Sequence, residues 1–319
     1  MADNQLVRIA EQLNRSRCAG IICHVRPDGD ALGSGLALAT ALKNAGKQAY
    51  MMCEDAIPER LKIFPGMEVA TQLPAEVKFD LLISVDCADI TRLGIFAGAF
   101  KRFGGPTINI DHHISNDKYA KYNYVFTCPA TCELIPEVLE ASRLAMTRGI
   151  ADFLAMGLLT DSGNFAHSDV TAKTFSVAAA LRGAGADFAR IGYEMFSRQT
   201  KNRALLYVRV LNSMRFCLGD KLVFLTVTQR DFEATDTEKS QTEGFVDYPL
   251  TIDGVEVSIA LMEVKKGQYK ASLRSKRVNV NAVASEFGGG GHVLASGCML
   301  FGEYEEVIER LTFAVGKQL

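Results

Sequence analysis

No Cys-x-x-Cys pair occurs among the eight cysteines, Cys18, Cys23, Cys53, Cys87, Cys128, Cys132, Cys217 and Cys298. Scattered thiols of this kind read as reduced cytosolic residues rather than a disulfide framework. The closest spacing, Cys128-x-x-x-Cys132, has no second pair to complete a zinc site. No apolar run approaches the length of a membrane span. Met1–Arg17 alternates polar and apolar residues and lacks the apolar core of a signal peptide. The expectation is a cytoplasmic protein with no membrane partner. Excess charge is also missing: the formal net charge is −2. That disfavours binding to long duplex nucleic acid, which relies on a basic surface, and leaves a short or mononucleotide ligand open. Internal repeats and low-complexity segments are absent. Histidine is scarce, and of the five present, His24, His112, His113 and His292 sit in polar clusters.

With 319 residues the chain is long for one core and suggests two domains. Leu6, Val7, Ile9, Ala10 and Leu13 recur at helical spacing. Short apolar runs over Ala19–Cys23, Gln48–Cys53, Leu81–Val85, Thr107–Ile110 and Tyr122–Phe126 predict strands. A helix over Ala31–Asn44 follows the first strand, with Asp30 placed to cap it and Gly46 to stop it. Further helical patterns cover roughly 130–143, 149–160, 171–183 and 187–198. Strands alternating with helices predict an α/β fold, a mainly parallel, doubly wound sheet. From Met214 the pattern changes to two hairpins, one around Gly219-Asp220 and one around Lys265–Gln268, with short helices at Ala282–Phe287 and Glu303–Val315. The expected division is a catalytic domain over 1–190, a helical connector over 191–213 and a smaller α+β domain over 214–319.

Four polar segments follow apolar elements and carry the same chemistry. His24-x-x-x-Asp28-x-Asp30 lies after the first strand, where ligands of open α/β sheets bind. Two carboxylates there would repel a phosphate unless a cation lay between them, and the nearby glycines do not form the G-x-G-x-x-G fingerprint. Asp86 ends the Leu81–Val85 strand, Asp111-His112-His113 follows Thr107–Ile110, and an apolar helix runs into Asp161. Singly, each could be a cap or a turn. Together they deliver Asp and His to one edge and predict a metal centre. Carboxylates and imidazoles without thiolate exclude structural zinc and disfavour calcium; manganese suits them best, with magnesium, cobalt or iron as rivals. Four Asp and two His suffice for two ions about 3.5–4 Å apart sharing one carboxylate, an arrangement suited to phosphoester hydrolysis.

Two further segments point to an anion. Gly288-Gly289-Gly290-Gly291-His292 lets backbone N–H groups approach a phosphate closely, although poly-Gly alone is as well explained by a mobile loop. Lys265–Arg277 holds six basic and no acidic residues, and its Arg274 lies just before the glycines. Arg92, after the Asp86 turn, could neutralise phosphate or form a surface ion pair; His167 reads as a turn cap; Tyr248 and Phe287 could stack a base or pack in a core.

His24-x-x-x-Asp28-x-Asp30, Asp86, Asp111-His112-His113, Asp161 and the Gly288–His292 segment together resemble the DHH phosphoesterase family with its associated C-terminal domain. The stretch Glu243-Gly244-Phe245-Val246-Asp247-Tyr248-Pro249 is most similar to the branch that cleaves very short RNA and pAp (3′-phosphoadenosine 5′-phosphate). The resemblance implies two Mn2+ ions, replaceable by Mg2+ or Co2+, with His24 and Asp28 on one, Asp30, His112 and Asp161 on the other, and Asp86 bridging. It implies that Asp111 orients an imidazole and that His113 meets the substrate phosphate. It further implies that Arg274, Gly289, Gly290, Gly291 and His292 grip substrate across an interdomain cleft, and that the protein is a homodimer. The implied substrates are short oligoribonucleotides, linear dinucleotides such as pApA and pGpG, and pAp. Two other readings stay open on the residues alone: a polyphosphatase or pyrophosphatase with the same centre, and a nucleotide sensor without catalysis.

Overall fold

A computed structural model describes residues 2–74 and 76–319, the side chains of 2 and 3 excepted. The chain divides into two compact units, one ending at Arg198 and the other beginning at Gln199. The first unit opens with helix α1 (Ala2–Arg15), strand β1 (Cys18–Ile22), helix α2 (Gly29–Asn44) and strand β2 (Gln48–Met52). Strand β3 (Leu81–Val85) leads through a 3-10 segment (Ile90–Phe96) to helix α3 (Ala97–Arg102), then to strands β4 (Thr107–Asp111) and β5 (Tyr122–Val125). Helices α4 (Ile135–Ala141), α5 (Arg148–Asp161), α6 (Ala172–Gly183) and α7 (Phe188–Gly192) follow.

All neighbouring strands in this sheet are parallel, in the order β2-β1-β3-β4-β5. Strands β1, β3 and β4 are buried at every residue because both sheet faces are covered. Ile21 turns toward a core built with Leu36, Leu38 and Leu158, whereas its neighbour Ile22 packs on the other face with Met52, Phe96 and Phe100. Each such fully buried side chain contributes roughly 1.5–3 kcal/mol. The expected doubly wound α/β architecture is therefore present. In this strand order the chain turns to opposite sides after β1 and β3, and the crevice beyond their carboxyl ends is where such sheets bind ligands. His24 follows β1 and Asp86 follows β3.

Helices α2 and α5 approach closely because glycines line their contact. A Cβ on Gly33 would lie 2.5 Å from the Phe153 carbonyl oxygen, and one on Gly157 would lie 2.3 Å from Cys132 Sγ and 2.8 Å from Asp30 Oδ1. That contact brings the end of α5 against the start of α2, and so Asp161 toward Asp30. Asp30 does not cap α2 as its position suggested. The cap is Asp28, whose Oδ1 accepts from the Asp30 and Ala31 amides at 3.1 and 3.0 Å.

The second unit contains helix α8 (Lys201–Asn212), strands β6 (Arg215–Cys217) and β7 (Leu222–Val227), helix α9 (Gln229–Thr235) and strands β8 (Val257–Lys265) and β9 (Gln268–Ser275). Helix α10 (Val280–Ser285), strands β10 (Gly290–His292) and β11 (Ala295–Phe301) and helix α11 (Tyr304–Gly316) complete it. Its sheet runs β10-β11-β9-β8-β7-β6, with only the β7–β8 pair parallel. The stretch expected to connect the domains includes α8, whose Leu206 and Val210 are buried with Leu225, Val227 and Phe245 of this unit. Both expected hairpins are present. The glycine-rich segment differs: Gly290–His292 is an edge strand, pairing His292 with Ala295 and Gly290 with Gly297. Glycine is needed for that approach, since a Cβ on Gly291 would lie 2.5 Å from the Ala295 carbonyl oxygen. Among the described residues no helix is long and apolar enough to cross a membrane.

Candidate metal centre

The carboxyl ends of β1, β3 and β4 and the ends of α2 and α5 bring His24, Asp28, Asp30, Asp86, Asp111, His112, His113 and Asp161 to one edge of the first sheet. Donor atoms of His24, Asp28 and Asp86 lie within 4.8 Å of one another, as do those of Asp30, His112 and Asp161, and those of Asp86, His112 and His113. Asp86 connects the groups. Its Oδ2 is 3.4 Å from His24 Nε2 and its Oδ1 is 3.4 Å from His112 Nε2. His24 Nε2 also stands 3.5 Å from Asp28 Oδ2, and His112 Nε2 stands 3.6 Å from Asp161 Oδ2. These gaps are long for hydrogen bonds. Two donors that each sit about 2.1 Å from a shared divalent ion are separated by about 3–3.4 Å, so the spacing suits ligands of common ions.

Hydrogen bonds behind the cluster set which atoms face it. His112 Nδ1 is 2.8 Å from the Cys128 carbonyl, which can only accept, so that nitrogen carries hydrogen and Nε2 is turned to the carboxylates. This Nε2 is buried and has no hydrogen-bond partner, as a metal ligand's nitrogen would be. His24 Nδ1 meets the Val25 carbonyl at 2.9 Å in the same way. The Arg92 guanidinium, 3.1 Å from that nitrogen, is thus a neighbouring charge rather than its donor. Asp28 divides its oxygens, Oδ1 to the helix cap and Oδ2 to His24. Asp30 is fully buried, and its Oδ2 and Oδ1 accept from the amides of Thr131 and Cys132 at 2.5 and 2.8 Å. Thr131 Oγ1 donates to Asp86 Oδ1 at 3.1 Å. His113 Nδ1 donates to Asp111 Oδ1 at 2.8 Å.

Crowded carboxylates shift one another. Burial, with the charges of Asp30, Asp28 and Asp86, pushes the Asp161 carboxyl up to about 9. Burial and the charge of Asp86 push Asp30 up to about 7. Burial disfavours the imidazolium of His24, but Asp28 and Asp86 outweigh it and raise the group to about 10. At His112 burial is likewise outweighed, by Asp86 and Asp30, and the group rises to about 10. Asp86 is buried as well, yet the His112 and His24 imidazoles on either side of it hold it well below the usual carboxylate range. Protons thus occupy sites that a divalent ion would take over, as expected of a metal centre.

Sequence reasoning did not find the Thr131 and Cys132 amides, because backbone donors carry no residue-type signal. It also passed over Asn116, whose Nδ2 lies 2.5 Å from Asp111 Oδ2. His167 Nδ1 donates to the Asp161 carbonyl at 2.7 Å, the turn-closing part expected of it. In the second unit Arg274, Ala295 and His292 occupy one row across β9, β11 and β10. Arg274 Nε is 3.5 Å from Asp247 Oδ1, and Gly290, Gly291 and His292 are exposed. Tyr248 is 39 % exposed, and the Arg310 guanidinium covers the Phe287 ring at 5.4 Å.

The profile of the DHH family N-terminal domain matches residues 19–158, and that of the DHHA1 domain matches residues 219–318. The bifunctional oligoribonuclease and PAP phosphatase NrnA of Thermus thermophilus is 31% identical over 307 residues, covering 94% of this chain and 89% of the relative. The chain belongs to the DHH family. A probable bifunctional oligoribonuclease and PAP phosphatase NrnA of Streptococcus mutans is 30% identical, covering 90% of this chain and 92% of its own. The crystal structure of an exopolyphosphatase-related protein from Bacteroides fragilis superposes with a TM-score of 0.85 at 25% identity, covering 99% of this chain and 96% of its own. Within this DHH protein the family's three-residue motif is Asp111-His112-His113. Here it is split in use: His112 and His113 approach Asp86, and Asp111 holds His113.

Proposed function

We propose that this chain is a divalent-metal-dependent phosphoester hydrolase of very short oligoribonucleotides, linear dinucleotides and pAp. The observation that carries this reading is Asp86, whose two oxygens each face an imidazole of a different donor group. In it, His24 and Asp28 would hold one ion and Asp30, His112 and Asp161 the other, with Asp86 available to either. When bound, the ions polarise phosphoryl oxygens and acidify the attacking water. The protein's own residues do the rest. The Cys128 and Val25 carbonyls fix the ligand tautomers, and the Thr131 and Cys132 amides hold the Asp30 carboxylate in place. His113, oriented by Asp111, meets the substrate phosphate through Nε2 as donor or acid. Arg92 adds positive charge beside His24.

In the second unit, Arg274 and His292 take the far part of the substrate. Gly290, Gly291 and His292 lie exposed on an edge strand, where outward-facing backbone N–H suits a phosphate. Domain bounds of 1–190, 191–213 and 214–319 go with this division of labour. Manganese as the ion, a cytoplasmic location, a homodimeric assembly and rejection of long duplexes are further parts of the reading. The relatives named as oligoribonuclease and PAP phosphatase support it. The Bacteroides exopolyphosphatase-related protein favours one alternative, an inorganic polyphosphate substrate for the same centre.

A product assay separates the two. The protein is offered 5′-labelled RNA from dimers to 24-mers, pAp and pyrophosphate, each with Mn2+ and with EDTA. Consumption of dimers and pAp, abolished by EDTA, is the expected result. Consumption of pyrophosphate alone overturns the nucleotide reading in favour of the alternative.

A further inference from the structure

Behind Asp111 lies a run of amides whose directions are fixed. Asn116 Oδ1 accepts the Lys118 amide hydrogen at 2.7 Å, which turns its Nδ2 toward Asp111 Oδ2 at 2.5 Å. The same Nδ2 is 2.8 Å from Asn109 Oδ1 and 3.3 Å from the Cys87 carbonyl. Asn109 is oriented in turn, because its own Nδ2 donates to Ser84 Oγ at 2.9 Å and to the Cys87 carbonyl at 3.2 Å. Backbone acceptors and donors thus decide both amide orientations, and neither side chain can be flipped without losing a bond. Cys87 directly follows Asp86, whose φ of 52° is uncommon for a residue other than glycine. Asn116 therefore ties the strand end that carries Asp86 to the one that carries Asp111.

We propose that Asn116 is a positioning residue for the hydrolysis, acting through Asp111 on His113. This rests on the reading that His113 meets the substrate phosphate. A carboxylate held by one hydrogen bond can swing about its Cβ–Cγ bond. Asp111 is held at both oxygens, by His113 Nδ1 on Oδ1 and Asn116 Nδ2 on Oδ2. The second hold stops the swing, so the imidazole keeps its hydrogen on Nδ1 and offers Nε2 at a fixed angle. Both ends of the Asn116 amide are engaged away from the metal donors, Oδ1 with the Lys118 amide and Nδ2 with Asp111, Asn109 and the Cys87 carbonyl. Its loss is felt in turnover and leaves the ions in place.

The test is a double-mutant cycle in kcat on an RNA dinucleotide, with KM, manganese affinity and Tm measured on every variant. Asn116→Ala is expected to lower kcat about 10–100-fold, as loss of an orienting partner does, with manganese affinity and KM within about threefold of wild type. In a His113→Ala background, removing Asn116 is expected to change kcat by less than about threefold, because residues acting as a unit are not additive. Asn116→Asp keeps the acceptor for Lys118 but loses the donor to Asp111, and is expected to reproduce the kcat loss if the alanine variant folds poorly. The proposal is overturned by a multiplicative loss in the His113→Ala background, by Asn116 variants within twofold of wild-type kcat, or by a parallel loss of manganese affinity. A His113→Ala enzyme as fast as wild type, beside a slow Asn116→Ala, instead removes the part assigned to His113 and the relay with it.

Discussion

Where the strands of the parallel sheet begin, Asp80 accepts from Ser16 Oγ at 2.7 Å, from the Arg17 amide at 2.8 Å and from the Cys18 amide at 3.2 Å. Lys47 at the same edge places its ammonium 2.8 and 2.6 Å from the carbonyls of Asn14 and Ser16. Where the strands end, Asp28, Asp86 and Asp161 stand 3.4–3.6 Å from imidazoles they do not properly bond, and His112 Nε2 has no partner. Charges moved by the environment show the same contrast. Partial burial would raise Asp80, but its three donors hold it below the usual carboxylate range, whereas Asp161 and Asp30 are pushed up. At one edge the protein completes its own polar contacts. At the other it gathers donor atoms that only a cation would satisfy, which is how a built ligand site differs from a structural clasp.

The contrast breaks most visibly at Asp86. Asp86→Asn keeps the shape but cannot serve two donor groups as a shared anion. Loss of several kcal/mol of transition-state stabilisation corresponds to about a thousandfold or more in kcat. The measurement is hydrolysis of bis-p-nitrophenyl phosphate with Mn2+, alongside metal content per chain. Activity near wild type would remove Asp86 from the centre of the reading.

Stability against pH sharpens the contrast next. In metal-free protein His24 and His112, raised from 6.5 to about 10, contribute stability present below pH 6.5 and lost as pH rises toward 10. Asp161, raised from 3.8 to about 9, and Asp30, raised from 3.8 to about 7, keep protons that the unfolded chain has already released, so they too lower stability as pH climbs toward those values. All four act in one direction between pH 6.5 and 7, and His24, His112 and Asp161 continue up to about 9. The Tm of EDTA-treated protein is expected to fall across this window. Manganese-loaded protein, its ligands already free of protons, is expected to stay nearly level. Parallel curves for the two forms would show that the cluster does not exchange protons for metal.

Much of this edge was legible beforehand for a physical reason. A parallel strand buried on both faces reads as a pure apolar run, so a charged residue at its end stands out; Asp86 and Asp111-His112-His113 were visible in that way. Asp28 and Asp30 were visible as a pair, but not which one caps the helix. That was decided by the Thr131 and Cys132 amides, which take up Asp30 from a hundred residues away. Asn116 was hidden because polar residues after a strand are ordinary in loops. The β10 strand was hidden because glycine is depleted in strands; only the closeness of β11 makes glycine appropriate at Gly291 and at Gly289 just before the strand. Ends of buried elements can be read locally, whereas partners brought by the fold cannot.

The smallest expected effect lies at the opposite edge, and it tests whether the division is real. Asp80→Asn retains an oxygen for one or two of the three donors but gives up the charge that strengthens those bonds. Asp80 is exposed at this edge, so solvent discounts the loss to about 1 kcal/mol. A carboxylate held below its usual range contributes stability present above its unfolded pKa of about 3.9 and lost as pH falls through the lower folded value. The variant is therefore expected to be less stable than wild type at neutral pH, to approach it as acidification protonates Asp80, and to keep wild-type kcat and metal content throughout. Urea unfolding at several pH values, with activity measured on the same samples, checks all three. If Asp80→Asn instead lowered kcat at unchanged stability, the two ends of the sheet would be coupled, and the clasp could not be treated as merely structural.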